Sequence, residues 1–169
     1  MSELHHESHL VAPARKERNE IALDWVGLFA RLALGGVLFV AGALKIPTPY
    51  KAAAAMRAYE LLPNSLASFF GYILPWFEVG LGLLLILGVA TRLSGVVGAL
   101  LMLLFIGAIA SAWARGLSID CGCFGGGGEI DPNETKYLQE IIRDIALAIC
   151  GFYLYFRPHS RFALDNRGK

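Results

Sequence analysis

Charge is what this sequence has least of. Lysine, arginine, aspartate and glutamate make up 17% of the 169 residues, against about 25% in a typical soluble domain. The net charge of +1 gives no reason to expect nucleic-acid binding. Hydrophobic residues supply 56% of the chain, and the mean hydropathy is +0.53. The scarcity of charge therefore excludes an ordinary soluble domain and predicts an integral membrane protein surrounded by the lipid bilayer.

Cysteine is also scarce, with three in the chain, too few for a small secreted domain held together by disulfides. Cys121 and Cys123 are separated by one glycine and Cys150 stands alone, which predicts one reactive pair and one inert core residue. No metal site is predicted, because all four histidines lie in the terminal segments. A cleavable signal peptide is not expected either, since the first apolar stretch is too long and lacks a convincing cleavage site.

Long apolar runs are what the sequence does have. A helix needs about 20 residues to cross a bilayer core of roughly 30 Å, and four runs are long enough: residues 25–44, 70–90, 93–113 and 137–156. Between the first two, residues 50–62 combine strong helix formers with flanking prolines, which predicts a short helix at the membrane interface. The predicted fold is all-α: a polytopic membrane protein forming a four-transmembrane-helix up-down bundle with a short interfacial helix.

The distribution of lysine and arginine predicts the orientation of this bundle. With four spans, both termini share one side, which carries eight of these residues, against five on the side of the cysteine loop. We therefore expect cytoplasmic termini, with residues 1–20 as a mobile tail and 158–169 as a second tail. The membrane domain would cover 21–157, and its loop at about 114–136 would be external.

The Cys121-Gly122-Cys123 sequence can close into a small disulfide ring, because glycine removes the side chain that would crowd the turn. Such a ring is strained, and strained disulfides exchange readily with other thiols. Asp120 disfavours the thiolate form of its neighbour, while the glycines at 125–128 predict a mobile hinge. Two alternatives stay open at this point: an unreactive structural pair, and a zinc site made from the four thiolates of a dimer.

Four charged residues fall inside the predicted spans: Arg31, Glu78, Arg143 and Asp144. Charged side chains at this depth usually face a partner in the bundle interior. We expect Glu78 to pair with Arg31 or with Arg143, so that the four charges form one intramembrane polar network. This network is either a structural clasp between helices or a pocket that binds a quinone head group or relays protons.

Several motifs resemble the DoxX-like membrane proteins, specifically their MauE branch. They are Arg31 with Gly35-Gly36, Ala41-Gly42-Ala43-Leu44-Lys45, Pro75-Trp76-Phe77-Glu78-Val79-Gly80-Leu81-Gly82, Asp120-Cys121-Gly122-Cys123-Phe124-Gly125 and Arg143-Asp144. The resemblance covers about residues 25–156. It implies a bacterial cytoplasmic-membrane protein linked to disulfide formation in exported proteins, and in the MauE context to maturation of methylamine dehydrogenase.

Together these observations predict a membrane-embedded thiol-disulfide redox protein, either an oxidoreductase or the membrane subunit of one. Cys121 and Cys123 would exchange disulfides or electrons with an extracytoplasmic thioredoxin-like partner, and the direction of electron flow and coupling to a membrane quinone stay open. The plan is similar to that of DsbB and vitamin K epoxide reductase, but this chain has no second external cysteine pair. The alternative is a non-catalytic membrane scaffold that docks and stabilises a redox partner.

Overall fold

The computed structural model describes residues 3–122, 125–157 and 164. Five α-helices dominate this part of the chain: α1 Glu3–Lys45, α2 Pro49–Ala58, α3 Asn64–Leu87, α4 Thr91–Ala114 and α5 Tyr137–Phe156. Between α4 and α5 lie two short strands, β1 Ile119–Asp120 and β2 Gly128–Glu129, and a 3₁₀ turn at Pro132–Glu134. The protein is therefore predominantly helical, as predicted.

Three helical segments of the described chain are long and apolar enough to cross a membrane: Glu20–Lys45 in α1, Asn64–Leu87 and Thr91–Ala114. They correspond to the first three predicted spans. The fourth predicted span coincides with α5 but is not among them, because Glu140, Arg143 and Asp144 all fall in its first eight residues. A fourth crossing therefore stays a prediction, as does an interfacial position for α2, the short helix expected between the prolines.

The first helix begins much earlier than the sequence predicted. A mobile tail was expected up to about residue 20, whereas α1 is helical from Glu3. Residues 14–18 are alanine, arginine, lysine and glutamate, which are strong helix formers. Extending an existing helix avoids the cost of nucleating a new one, so these residues continue the helix of the apolar span.

Small residues bring the helices together in two pairs, α1 with α3 and α4 with α5. A Cβ on Gly42 would lie 2.5 Å from the Pro75 carbonyl oxygen, and one on Gly151 would lie 2.6 Å from the Gly95 carbonyl oxygen. Only glycine permits such close approach of two helix backbones. The two pairs meet where α1 packs against α5, while α3 and α4, although consecutive, scarcely touch.

The loop between α4 and α5 is folded against the bundle by a hairpin and a buried tyrosine. β1 and β2 pair antiparallel, with Ile119 opposite Glu129 and Asp120 opposite Gly128. The Tyr137 hydroxyl donates to the Leu117 carbonyl at 2.7 Å and accepts from the Ile119 N–H at 2.8 Å. The Tyr137 side chain at the start of α5 therefore fixes the backbone that leads to Cys121.

Candidate functional site

Cys121 is held at the end of β1 by contacts on both sides. The Gly122 N–H donates to Asp120 Oδ1 at 3.0 Å, forming a tight turn around the cysteine. The Tyr59 hydroxyl, from the residue after α2, donates to the Cys121 carbonyl at 3.3 Å. Gly122 has φ +70°, a left-handed conformation that favours glycine. The backbone of this cysteine is thus fixed by the hairpin, by α2 and by the glycine that follows.

Two carboxylates flank the Cys121 thiol. One ligand atom from each of Asp120, Cys121 and Glu140 lies within 4.8 Å of the other two, and all three residues are half-buried. The Glu140 carboxylate beside the thiol lies in the first turn of α5. These negative groups oppose a thiolate, and Glu140 is positioned to take the thiol proton. One sulfur and two oxygens could also ligate a metal ion.

Cys123, the second predicted redox cysteine, lies outside the described residues, together with Phe124. Cys150 is half-buried in α5 and packs against the main apolar core, as expected for a structural residue. Its thiol stands 13 residues along α5 from Tyr137, a separation of about 20 Å along the helix axis. Cys150 is thus remote from the start of α5, where the cysteine loop joins that helix.

The glycine run has a packing role that the predicted hinge did not include. A Cβ on Gly122 would lie 2.7 Å from the Ala55 Cβ, and one on Gly125 would lie 3.2 Å from the Leu44 carbonyl oxygen. Gly127 has φ +132°, a conformation that side chains rarely tolerate. These glycines let the loop lie directly on α2 and on the end of α1.

Glu78 forms an ion pair with Lys45, which was not among the four charged residues predicted to lie inside the spans. Its two carboxylate oxygens accept hydrogen bonds from the Lys45 ammonium, both at 2.8 Å. The side chains are 6% and 0% exposed, so the ion pair is buried. Glu78 thus pairs with Lys45, where Arg31 or Arg143 was the expected partner. Arg31 lies 14 residues before Lys45 on α1, about 21 Å away along the helix axis.

Three of the four predicted network residues do come together. Glu78, Arg143 and Asp144 line one small cavity. Arg143 donates to Asp144 Oδ1 at 2.9 Å, and the Lys45 ammonium also attracts the Asp144 carboxylate. The cluster is thus two cations and two anions, with Lys45 in the place predicted for Arg31. The four charges cancel, which lowers the cost of their burial.

A larger cavity connects the thiol loop with this charged cluster. It encloses about 630 Å³ between α2, α3 and α4. Cys121 and Gly122 line one part of its wall and Lys45 another, and most of the remaining lining residues are apolar. The volume falls within the range of about 300–1,000 Å³ that is typical of small-molecule sites.

Sequence reasoning missed Lys45, Glu140 and Tyr59 as parts of this site. Lys45 could have been found from periodicity, because Leu34, Leu38 and Ala41 recur with it on one buried face of α1. Glu140 could have been found from its place in the first turn of the helix that follows the cysteine loop. Nothing in the sequence indicated that Tyr59 would reach Cys121.

The fold and the site together define a class: a multi-pass helical membrane protein with a thiol between two carboxylates in a loop at one end of its bundle. The loop lies on the apolar surface of the bundle and borders a cavity within it. Residues 23–157 match the family described as methylamine utilisation protein MauE. Because this match covers most of the chain, the protein belongs to that family.

Two curated relatives carry the name methylamine utilization protein MauE. The protein from Methylophilus methylotrophus is 36% identical over 99 residues, 58% of this chain and 52% of the relative. The one from Methylorubrum extorquens is 42% identical over 73 residues, 43% of this chain and 39% of the relative. The matches thus span about half or less of the length of each relative. No solved structure matches the chain.

Proposed function

We propose that this protein is a membrane thiol-disulfide exchanger that oxidises an extracytoplasmic thioredoxin-like partner and passes the electrons to a membrane quinone. The observation that carries the proposal is the position of the Cys121 thiol, within 4.8 Å of carboxylate oxygens of Asp120 and Glu140, in a loop beside an apolar cavity. The names of the relatives support a partner in methylamine metabolism, where maturation of an exported dehydrogenase would need disulfide formation.

The exchange begins from a Cys121–Cys123 disulfide. A thiolate of the partner attacks one sulfur, and the other leaves as a thiolate, giving a mixed disulfide. The second thiol of the partner then attacks this bond, which releases the oxidised partner and leaves both cysteines of this chain reduced. Two electrons and two protons have then passed from the partner to Cys121 and Cys123.

The reduced pair is returned to the disulfide by a quinone. Two thiols and one quinone give one disulfide and one quinol, so electrons and protons balance without a further reactant. Glu140 takes the Cys121 proton as the sulfur becomes nucleophilic, since its carboxylate lies beside the thiol. This assigns Glu140 to proton transfer and the cysteines to covalent exchange.

The location that fits this function is a bacterial cytoplasmic membrane, with α5 as a fourth crossing and the cysteine loop outside. The excess of lysine and arginine on the terminal side supports that orientation. A reporter fused to the C-terminus and active only outside the cytoplasm should therefore be silent. Activity of that fusion would place the loop in the cytoplasm and overturn this orientation.

Trapping of a mixed disulfide tests the mechanism. A partner variant that keeps only its attacking cysteine should stay joined to Cys121 or Cys123 as a mixed disulfide, because the partner thiol that would resolve this bond is absent. A Cys150→Ser variant is the matched control and should leave exchange unchanged. If the Cys121→Ser/Cys123→Ser double variant supports partner oxidation fully, the exchange mechanism is wrong and the protein is a scaffold that docks its partner.

A further inference from the structure

The large cavity opens sideways toward lipid rather than toward water. Six of its lining residues are at least 40% exposed and all six are apolar: Leu61, Leu62, Phe70, Ile73, Phe77 and Leu104. They belong to α3, α4 and the segment before α3, and α3 and α4 pack little against each other. Since both helices are candidate membrane spans, a ligand that enters between them comes from the bilayer and is itself apolar.

Lys45 is the one charged side chain among the described residues that line this cavity. A lysine ammonium has three N–H donors, and two of them are bonded to the Glu78 oxygens. The Phe105 ring, which also lines the cavity, lies 5.8 Å from the ammonium. One donor is thus left for an acceptor on a ligand.

The Glu78 carboxylate decides which kind of acceptor fits. Because the ion pair is neutral overall, Lys45 offers a directed N–H without attracting an anion strongly. The Glu78 carboxylate would repel a phosphate or a free carboxylate that approached the ammonium. A saturated acyl chain carries no hydrogen-bond acceptor. A neutral ring carbonyl on an apolar body satisfies both the donor and the apolar wall.

We infer that this cavity binds the ring of a membrane quinone, with Lys45 donating to one ring carbonyl and Cys121 on another part of the cavity wall. The inference rests on the proposed function for the source of electrons, which are those of the Cys121 and Cys123 thiols. The quinone accepts two electrons and two protons and leaves as quinol between α3 and α4. Binding itself needs no thiol chemistry.

Photolabelling tests the binding site directly. The full chain is placed in phosphatidylcholine nanodiscs and irradiated with a short-tailed azidoquinone, and the labelled peptides are identified by mass spectrometry. Label should appear in the segments that line the cavity, residues 70–77 and 101–108. An excess of unlabelled short-chain quinone should remove it, while an equal excess of oleate should not. Equal competition by oleate would mean that a lipid chain occupies the cavity and would overturn the inference.

Two substitutions on α4 give a matched comparison. Ala108 lines the cavity, whereas Ala110 is exposed on the same helix and does not. Ala108→Trp should fill the space and weaken quinone binding about tenfold or more, while Ala110→Trp should leave it unchanged. Equal binding by the two variants, with both folded, would place the quinone elsewhere and overturn the inference.

The donor is tested by a variant that removes the whole ion pair. Lys45→Met combined with Glu78→Gln leaves no unpaired charge, so it should fold even if Ala108→Trp does not. Loss of a charge-assisted hydrogen bond should weaken quinone binding about tenfold, and unchanged binding would exclude Lys45 as the donor.

A Cys121→Ser variant that still binds quinone but exchanges no disulfide separates this inference from the proposed function. If the protein exchanges disulfides but the azidoquinone does not label the cavity, the quinone site is wrong while the proposed function stands.

Discussion

The buried ion pair between Lys45 and Glu78 makes the strongest stability prediction. Its N–O distances are both 2.8 Å, and its side chains are 6% and 0% exposed. Lys45→Met leaves the Glu78 carboxylate buried without its partner. Breaking one side of a buried pair typically costs about 3–5 kcal/mol, so this variant should lose that much free energy of unfolding.

The double variant Lys45→Met/Glu78→Gln separates loss of the charge balance from loss of packing. It removes both charges and leaves one buried amide, which costs about 1–3 kcal/mol. It should therefore be more stable than Lys45→Met alone, with a coupling free energy of at least about 1 kcal/mol. The measurement is denaturant-induced unfolding in mixed micelles, analysed as a double-mutant cycle.

An exposed ion pair serves as the control for these measurements. Arg157 and Glu20 are 3.5 Å apart, and their side chains are 45% and 58% exposed. Arg157→Met should change the free energy of unfolding by no more than about 1 kcal/mol. Lys45→Met should lose more free energy of unfolding than this control and more than the double variant. If it loses less than either, the charges of Lys45 and Glu78 are not energetically coupled.

Three further predictions follow from contacts elsewhere in the site and the bundle. Gly42→Ala should lower the thermal transition because a Cβ there meets backbone, at a cost of about 1–3 kcal/mol, while Gly36→Ala, with open space around it, should not lower it. Tyr137→Phe should speed amide hydrogen exchange in β1, since it loses both loop hydrogen bonds, whereas Tyr72→Phe on the exposed face of α3 should leave it unchanged. Glu140→Gln should slow partner oxidation about 100-fold or more by removing the proton acceptor while leaving the level of folded protein unchanged. An unchanged rate would remove Glu140 from the mechanism.

Much of the helical framework could be predicted because it depends on local properties. The apolar runs are long and uninterrupted, and Gly88 with φ +69° ends α3 where a left-handed residue is needed. The first helix was the exception, because polar helix formers can extend an existing helix without any apolar periodicity. Composition alone could not show that extension.

The partners of the buried charges could not be read from their depths along the helices. Distances along an axis place Glu78 near several cations, but the choice depends on which faces meet across α1 and α3. That choice is made by close contacts such as Gly42 against the Pro75 carbonyl, which place Lys45 opposite Glu78. Lys45 looked like a lysine at a helix end, yet α1 directs it inward with Leu38 and Ala41.

Stability alone does not account for a buried lysine at this point of the bundle. Apolar residues of similar volume often fill such a position at equal or lower free energy than an ion pair. What an apolar pair cannot do is present an N–H donor to the wall of a cavity. A lone lysine could do so, but its unbalanced charge would be costly among apolar helices. The Glu78 carboxylate removes that cost while leaving one donor in place. If the cavity binds a quinone as inferred above, the ion pair joins α1 to α3 and also supplies a neutral hydrogen-bond donor to the cavity beside Cys121.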